Sequence, residues 1–115
     1  MLDELKRALF RKALALETRL SGVSGHTGTG RFRYAAWSDG HVTYEADLKG
    51  IAGLKANIWA HGRLVAPLAV KDGKAAQKFD SREGAAAPAL AEGDLVEIRQ
   101  NGDVILQGEL VLERR

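Results

Sequence analysis

Residues 41–49, His-Val-Thr-Tyr-Glu-Ala-Asp-Leu-Lys, decide the fold class of this chain. Val42, Tyr44, Ala46 and Leu48 alternate with polar or charged residues throughout the stretch. Successive side chains of a β-strand point to opposite faces, so a period of two gives one apolar and one polar face. The stretch therefore predicts a half-buried strand.

The same alternation recurs on both sides of this stretch, and short turn signals separate the segments. Ser38-Asp39-Gly40 predicts a tight hairpin, and His61-Gly62, Asp72-Gly73 and Asn101-Gly102 predict three further turns. The predicted strands span residues 31–37, 41–49, 54–60, 63–71, 74–79, 94–100 and 104–112. Short strands at this regular spacing favour an antiparallel β-sandwich of about seven strands, Ig-like in type, over residues 31–115.

Two stretches of the predicted sandwich depart from the regular pattern of strands and short turns. Pro67 lies within the fourth predicted strand, and since proline cannot donate a ladder hydrogen bond, that strand is predicted to be an edge or to carry a bulge. Residues 81–93 form the one long crossing, which we expect to link the two sheets of the sandwich.

The N-terminal residues have a different period. Apolar residues three or four positions apart predict an amphipathic α-helix over residues 1–20: Leu2, Leu5, Leu9, Ala13, Leu16 and Leu20. Residues 21–30 are glycine, serine or threonine at eight of ten positions, which predicts a flexible joint. Phe10 and Leu14 lie beside the main stripe, so the helix is predicted to self-associate or bind a partner through Leu9, Phe10, Leu14 and Leu16.

Composition excludes several classes of protein. The 115 residues suit one domain, and the absence of cysteine excludes disulfides and thiolate metal ligands. Charged residues interrupt the N-terminal apolar positions and no apolar run approaches about 18 residues, so we expect neither a signal peptide nor a membrane span, and a cytoplasmic location. The net charge of +2 is too small to indicate nucleic-acid binding.

Residues that could carry chemistry are sparse. Asp80 and Ser81, with His61 elsewhere, form the only conceivable nucleophilic set, and both are ordinary turn residues. The glycine-rich stretch 25–30 follows the predicted helix and precedes a strand, the reverse of the order in phosphate-binding motifs. The histidines show no metal-ligand spacing: His26, His41 and His61. We therefore expect no enzyme, metal or cofactor.

Two tryptophans do not share the inward strand parity of the other aromatic residues. Trp37 and Trp59 have the strand parity opposite to that of the core aromatics, so both are predicted to point outward. Outward tryptophans need a cover, either the N-terminal helix or a partner. Together with His61 they define a possible binding surface.

Residues 28–110 resemble the chordin-type (CHRD) domain. The resemblance rests on Gly28-Thr29-Gly30-Arg31-Phe32, on Asp39-Gly40, on the stretch 44–51 and on two short stretches near the end, 92–94 and 106–110. It implies a β-sandwich that serves as a protein-interaction unit, usually extracellular and of unknown role in many bacterial proteins. This chain has a single histidine, His61, where that family has a pair after its third strand.

The sequence thus predicts a non-enzymatic protein-interaction or structural module in which the N-terminal helix mediates self-association or binds another protein. The alternative is a β-sandwich that binds a small ligand or carbohydrate through the outward tryptophans. Nucleic acid is not an expected partner.

Overall fold

The computed structural model of the chain describes residues 12–83 and 89–113. Over these ranges the chain forms a 3₁₀ turn at Ser81–Glu83 and nine strands. The strands are β1 (Lys12–Gly22), β2 (Thr29–Trp37), β3 (Val42–Lys49), β4 (Lys55–Ala60), β5 (Arg63–Ala69), β6 (Lys74–Asp80), β7 (Leu95–Gln100), β8 (Asp103–Glu109) and β9 (Val111–Leu112).

All described strands belong to one antiparallel sheet in the order β5-β4-β7-β8-β1-β2-β3-β6, and β9 pairs with β1 beyond the end of β8. The edge strands β5 and β6 are joined by a turn closed by the bridge between Lys71 and Lys74, so the sheet is nearly closed on itself. The prediction of a mainly β, antiparallel fold is confirmed. The structure has one continuous sheet of nine described strands where the sequence predicted about seven strands in two sheets.

The predicted turns are confirmed in their backbone geometry. The first residue of each pair has a φ of 52–53°, and the glycine that follows has a φ of 75–84°. These are the angles of type I′ turns, whose twist matches that of the flanking strands. The pairs are His61-Gly62, Asp72-Gly73 and Asn101-Gly102.

The prediction for Pro67 is also confirmed. β5 is an edge strand, and its pairing with β4 shifts register between Ile58 and Trp59, the position of a bulge. A proline without an amide hydrogen is tolerated on such a strand.

The helix predicted over residues 1–20 is wrong where the structure describes it, because Lys12–Gly22 is strand β1. Residues 1–11, with Leu9 and Phe10, lie outside the described residues. Leu16 and Leu20 are almost completely buried and Thr18 is 8% exposed, so alternate side chains of β1 face the core. The segment from Leu14 to Leu20 fits a period of two as well as one of 3.6.

Tertiary pairing decided between the two periods. β1 makes nine register pairs with β2 and further pairs with β8 and β9. These ladders satisfy the backbone on both sides of the strand, a gain that outweighs a weak local preference for helix. The predicted joint of residues 21–30 is therefore reduced to the connection 23–28, and the strand before it belongs to the same sheet as the strands after it.

The core lies inside the curved sheet. Tyr44 stacks between Phe32 and Phe79, with ring centroids 5.6 and 4.7 Å apart. The largest side chains that are almost fully buried are Leu16, Leu20, Phe32, Ile58, Val96, Ile98, Leu106 and Leu110. β1 thus contributes two of the central core residues.

Candidate interaction surface

The structure separates the residues that the sequence grouped as sites. Leu16 is fully buried, so it is not available to a partner, and Leu14 is partly buried against the core. Trp37 on β2 and Trp59 on β4 both have outward parity, but β7, β8 and β1 lie between their strands. The two tryptophans therefore belong to different parts of the outer surface.

Trp37 is engaged within the chain. Its indole Nε1 donates a hydrogen bond to Thr43 Oγ1 at 3.0 Å, and its ring stacks on the imidazole of His41 with centroids 5.3 Å apart. The Lys12 ammonium lies 5.6 Å from the ring centroid. The polar tip and the ring of Trp37 thus have partners that hold the β2–β3 hairpin.

His41 contacts both the Trp37 ring and the carboxylate of Asp39. Its ring Nδ1 pairs with Asp39 Oδ1, and its backbone N donates to the same oxygen at 3.1 Å. These hydrogen bonds, the backbone one first, lower the pKa of Asp39 below its ordinary value. Sequence reasoning treated His41 only as a strand-opening residue, although Asp two positions before His in a tight turn is a recognisable signal.

An open groove of about 370 Å³ lies beside Trp37. Lys12, Arg33 and Glu113 contribute to its lining, and Arg33 Nη2 donates a hydrogen bond to Glu113 Oε1. This hydrogen bond is the main cause that lowers the pKa of Glu113. Asp80, also in the lining, has its pKa lowered to about 2 by hydrogen bonds from Arg82. Much of the charge in the groove is therefore neutralised within the chain.

Trp59 has a different environment, on the outer face of β4 and β7. The guanidinium carbon of Arg99 lies 4.2 Å from the centroid of its ring, a cation–π contact. Arg99 Nη2 donates to Glu97 Oε1 at 2.6 Å, and Glu97 is the register partner of Trp59. Arg99 Nε is buried without a hydrogen-bond partner. The indole and the carboxylate thus fix the arginine at the centre of this face.

Two exposed leucines flank the tryptophan. Leu64 on β5 is its register partner and is 56% exposed. Leu95, two residues before Glu97 on β7, lies diagonal to the tryptophan and is 41% exposed. We call the outward side chains of Trp59, Leu64, Leu95, Glu97 and Arg99 the Trp59 face. An apolar group around a Trp–Arg pair is typical of a protein-binding surface.

His61 lies at the margin of the Trp59 face. It occupies the β4–β5 turn, where its backbone N donates to the carbonyl of Leu95 at 3.0 Å. Its side chain is 70% exposed, and its Nδ1 lies 3.2 Å from Asp94 Oδ1. The structure therefore brings together Trp59 and His61 of the predicted binding surface, without Trp37.

Sequence reasoning missed Leu64, Leu95 and Arg99. Leu95 and Arg99 have the outward parity of their predicted strand, so the signal for these two was present. Leu64 shares the parity of the buried Ala66 and Leu68, and it pairs with Trp59 only because the β4–β5 register shifts between Ile58 and Trp59. Only the strand order shows that β5, β4 and β7 are neighbours, which makes one surface of three separate residues.

Among residues 12–83 and 89–113, no three His, Asp or Glu side chains are grouped so that they could hold a metal ion. In the same part of the chain, no helix is long and apolar enough to cross a membrane. No protein-family model matches the sequence. Neither does any curated protein.

Proposed function

We propose that this protein is a non-enzymatic interaction module that binds another protein chain through the Trp59 face. The observation that carries the proposal is the position of Trp59, between two leucines that are 56% and 41% exposed and against a stacked arginine. Tryptophan and arginine are the residues most enriched among those that dominate binding energy. Exposed apolar side chains that adjoin one another mark interaction sites more often than scattered ones do.

This surface replaces the predicted helix as the binding element. Leu16 is fully buried in the core of the sheet, and Leu14 is partly buried against it, so this pair is a weaker candidate for an interface. The resemblance to the chordin-type domain, with the interaction role that it implies, agrees with the proposal.

A small-ligand or carbohydrate site is the second candidate function, and the groove of about 370 Å³ beside Trp37 is the observation in its favour. Sugar binding through an aromatic ring needs an open ring face. The Trp37 ring already stacks on His41 and lies near Lys12, so this candidate has weaker support.

Photo-crosslinking tests the interaction function whatever the identity of the partner. A photoreactive phenylalanine analogue replaces Leu64, and the cells that produce the protein are irradiated. We expect covalent adducts with a protein chain, either this one or another. The matched control carries the analogue at Leu112, which is 52% exposed on β9 and lies off the Trp59 face. Equal yields at the two positions, or no adduct at position 64, would contradict the proposal.

A further inference from the structure

We propose that three lysines in register on the outer face of the sheet bind the phosphate backbone of a single-stranded nucleic acid. The lysines lie at the end of β3, at the start of β6 and in the turn that joins β5 to β6. They are separate from the Trp59 face, so this binding activity goes beyond the proposed function and does not depend on it.

The register places the three lysines side by side. Lys49 on β3 pairs with Lys74 on β6, and Lys74 pairs in turn with Lys71. All three residues are exposed, whereas the adjoining residue of each segment is buried: Leu48, Ala75 and Val70. Because side chains alternate between the two faces of a strand, the lysines lie on the outer face. We call Lys49, Lys74 and Lys71 the lysine row.

The lysine row lacks negative charges that pair with it. Within residues 12–83 and 89–113, none of its three ammonium groups makes an ion pair. Asp47 on β3 and Asp72 in the β5–β6 turn are the nearest acidic residues in the chain, and neither is paired with a lysine of the row. Like charges directly opposite each other destabilise a sheet. A ligand that supplies the negative charge removes this repulsion.

An open groove of about 380 Å³ lies along the lysine row. Lys49 and Lys74 line it together with Arg31 and with Thr29, the register partner of Lys49. Arg31 already pairs with Glu17 at 3.2 Å, so the lysines supply most of the free positive charge. Lysine, arginine and threonine side chains are among the groups that contact phosphate oxygens in nucleic-acid complexes.

The spacing of the lysines favours a nucleic acid over an acidic protein. Neighbouring strands of a sheet are about 4.8 Å apart. A nucleic-acid strand in a duplex carries one negative charge per roughly 3.4 Å of helix axis. Acidic side chains on one face of an extended peptide are farther apart, at about 6.8 Å. Protein partners also depend on aromatic and other large anchors, and no aromatic residue lines the groove.

The curvature of the sheet favours a single strand over a duplex. The groove lies on the outside of a nearly closed sheet, which is convex. A duplex stays straight over about 50 nm, so it contacts a convex face only locally, whereas a single strand follows it. Without aromatic rings for base stacking, binding should be independent of sequence and strongly dependent on salt. The net charge of +2 did not indicate this partner, because it averages over the whole chain.

Fluorescence anisotropy with the full chain and a labelled oligothymidine of about 12 nucleotides is the first test. We expect binding at about 50 mM salt, and a plot of log affinity against log salt with a slope of about −2, the value for three phosphate contacts on a single strand. A duplex of the same length should bind more weakly. An oligoglutamate peptide of the same length should compete poorly.

Charge removal tests the lysine row itself. Lys74→Gln should weaken binding about fivefold at about 50 mM salt and should reduce the steepness of the salt dependence by about 0.7. The matched control is Lys78→Gln, at an exposed lysine of the same strand that pairs with Glu45 and lies outside the row. The control should change the affinity by less than about twofold.

Asp47→Asn gives a result that loss of folding cannot imitate. Asp47 lines the groove, and its carboxylate repels a phosphate group that the lysines attract. The variant should therefore bind oligothymidine about threefold more tightly than the unaltered chain. The circular dichroism spectra of all three variants should match that of the unaltered chain.

Three results would overturn the inference. The first is no binding of oligothymidine by the unaltered chain at about 50 mM salt. The second is an equal loss of affinity in Lys74→Gln and Lys78→Gln, which would mean that the lysine row has no special part. The third is competition by oligoglutamate as strong as that by unlabelled oligothymidine, which would indicate an acidic protein as the partner. Photo-crosslinking at position 64 is independent of all three results.

Discussion

At the scale of single residues, neighbours rather than residue type decide what a side chain does. Trp37 and Trp59 both point outward from their strands. Thr43 and His41 engage Trp37 within its own hairpin, whereas Trp59 lies beside exposed leucines. The parity of a residue in its strand is readable from sequence, but its cross-strand neighbours are not.

The ion pair of Arg33 and Glu113 gives a prediction about pH. The pKa of Glu113 in the folded chain is lowered, so the pair's contribution to stability is fully present above the unfolded value of about 4.3. It is lost as the pH falls through the lower folded pKa. Glu113→Gln should therefore lower the unfolding free energy by about 0.5–1 kcal/mol at pH 7.

Urea denaturation at pH 7 and at pH 2.5 checks this prediction. The gap between the midpoints of the variant and the unaltered protein should narrow at the lower pH. Glu92→Gln, at an exposed residue with no ion pair to a described side chain, is the control and should show little gap at either pH. An unchanged gap for Glu113→Gln at pH 2.5 would mean that the side chain acts through packing rather than charge.

At the scale of elements, Thr18 distinguishes a strand from a helix over residues 12–22. In β1, Thr18 faces inward with Leu16 and Leu20. The space around Thr18 is crowded, because a Cβ added to Gly108 would lie 2.4 Å from the Thr18 hydroxyl oxygen. On a helix, Thr18 would lie about 200° from Leu16, on the polar side. Thr18→Lys should therefore destabilise the protein by about 3 kcal/mol or more, because it buries an unpaired charge in a crowded site.

Thermal and urea unfolding measure this effect. Arg19→Lys, at the exposed neighbouring position, should change stability by less than about 0.5 kcal/mol. A Thr18→Lys variant as stable as its Arg19→Lys control would contradict the assignment of β1.

At the scale of the whole molecule, β1 holds the two halves of the sheet together. It lies between β8 and β2 in the strand order, so its loss divides the sheet into β5-β4-β7-β8 and β2-β3-β6. Deletion of residues 1–25 should therefore abolish the cooperative thermal transition and the native circular dichroism spectrum. The two-part interpretation of the sequence predicts the opposite, a folded sandwich that no longer needs its N-terminal residues.

Fragment complementation gives the matched control for the deletion. A synthetic peptide of residues 12–25, added to the truncated chain, should restore the sheet signal. The same peptide with Leu16→Asp should not, because Leu16 is fully buried in the core. A cooperative transition in the truncated chain without peptide would refute the central position of β1.

Local sequence alone determined the strands from β2 to β8 and the turns between them. Alternation places one face of a strand inward, and a turn residue followed by glycine adopts type I′ angles, so neither feature needs information from distant residues. The predicted and observed strand limits over this part differ by no more than two residues at most ends, for example 74–79 against Lys74–Asp80. The edge position of Pro67 follows from the chemistry of proline itself.

Only the tertiary structure decided that residues 12–22 form a strand, that the sheet is continuous and that the residues of the Trp59 face lie together. Leu14, Leu16 and Leu20 suit both a helix and a strand, and unpaired edges on β2 and β8 settled the choice by offering ladders on both sides. The Trp59 face joins residues of β4 and β5 to residues of β7 that are 31 to 40 positions away in the chain, and these become neighbours only through the order of β5, β4 and β7. Strand order depends on long-range pairing energies, which no local pattern contains.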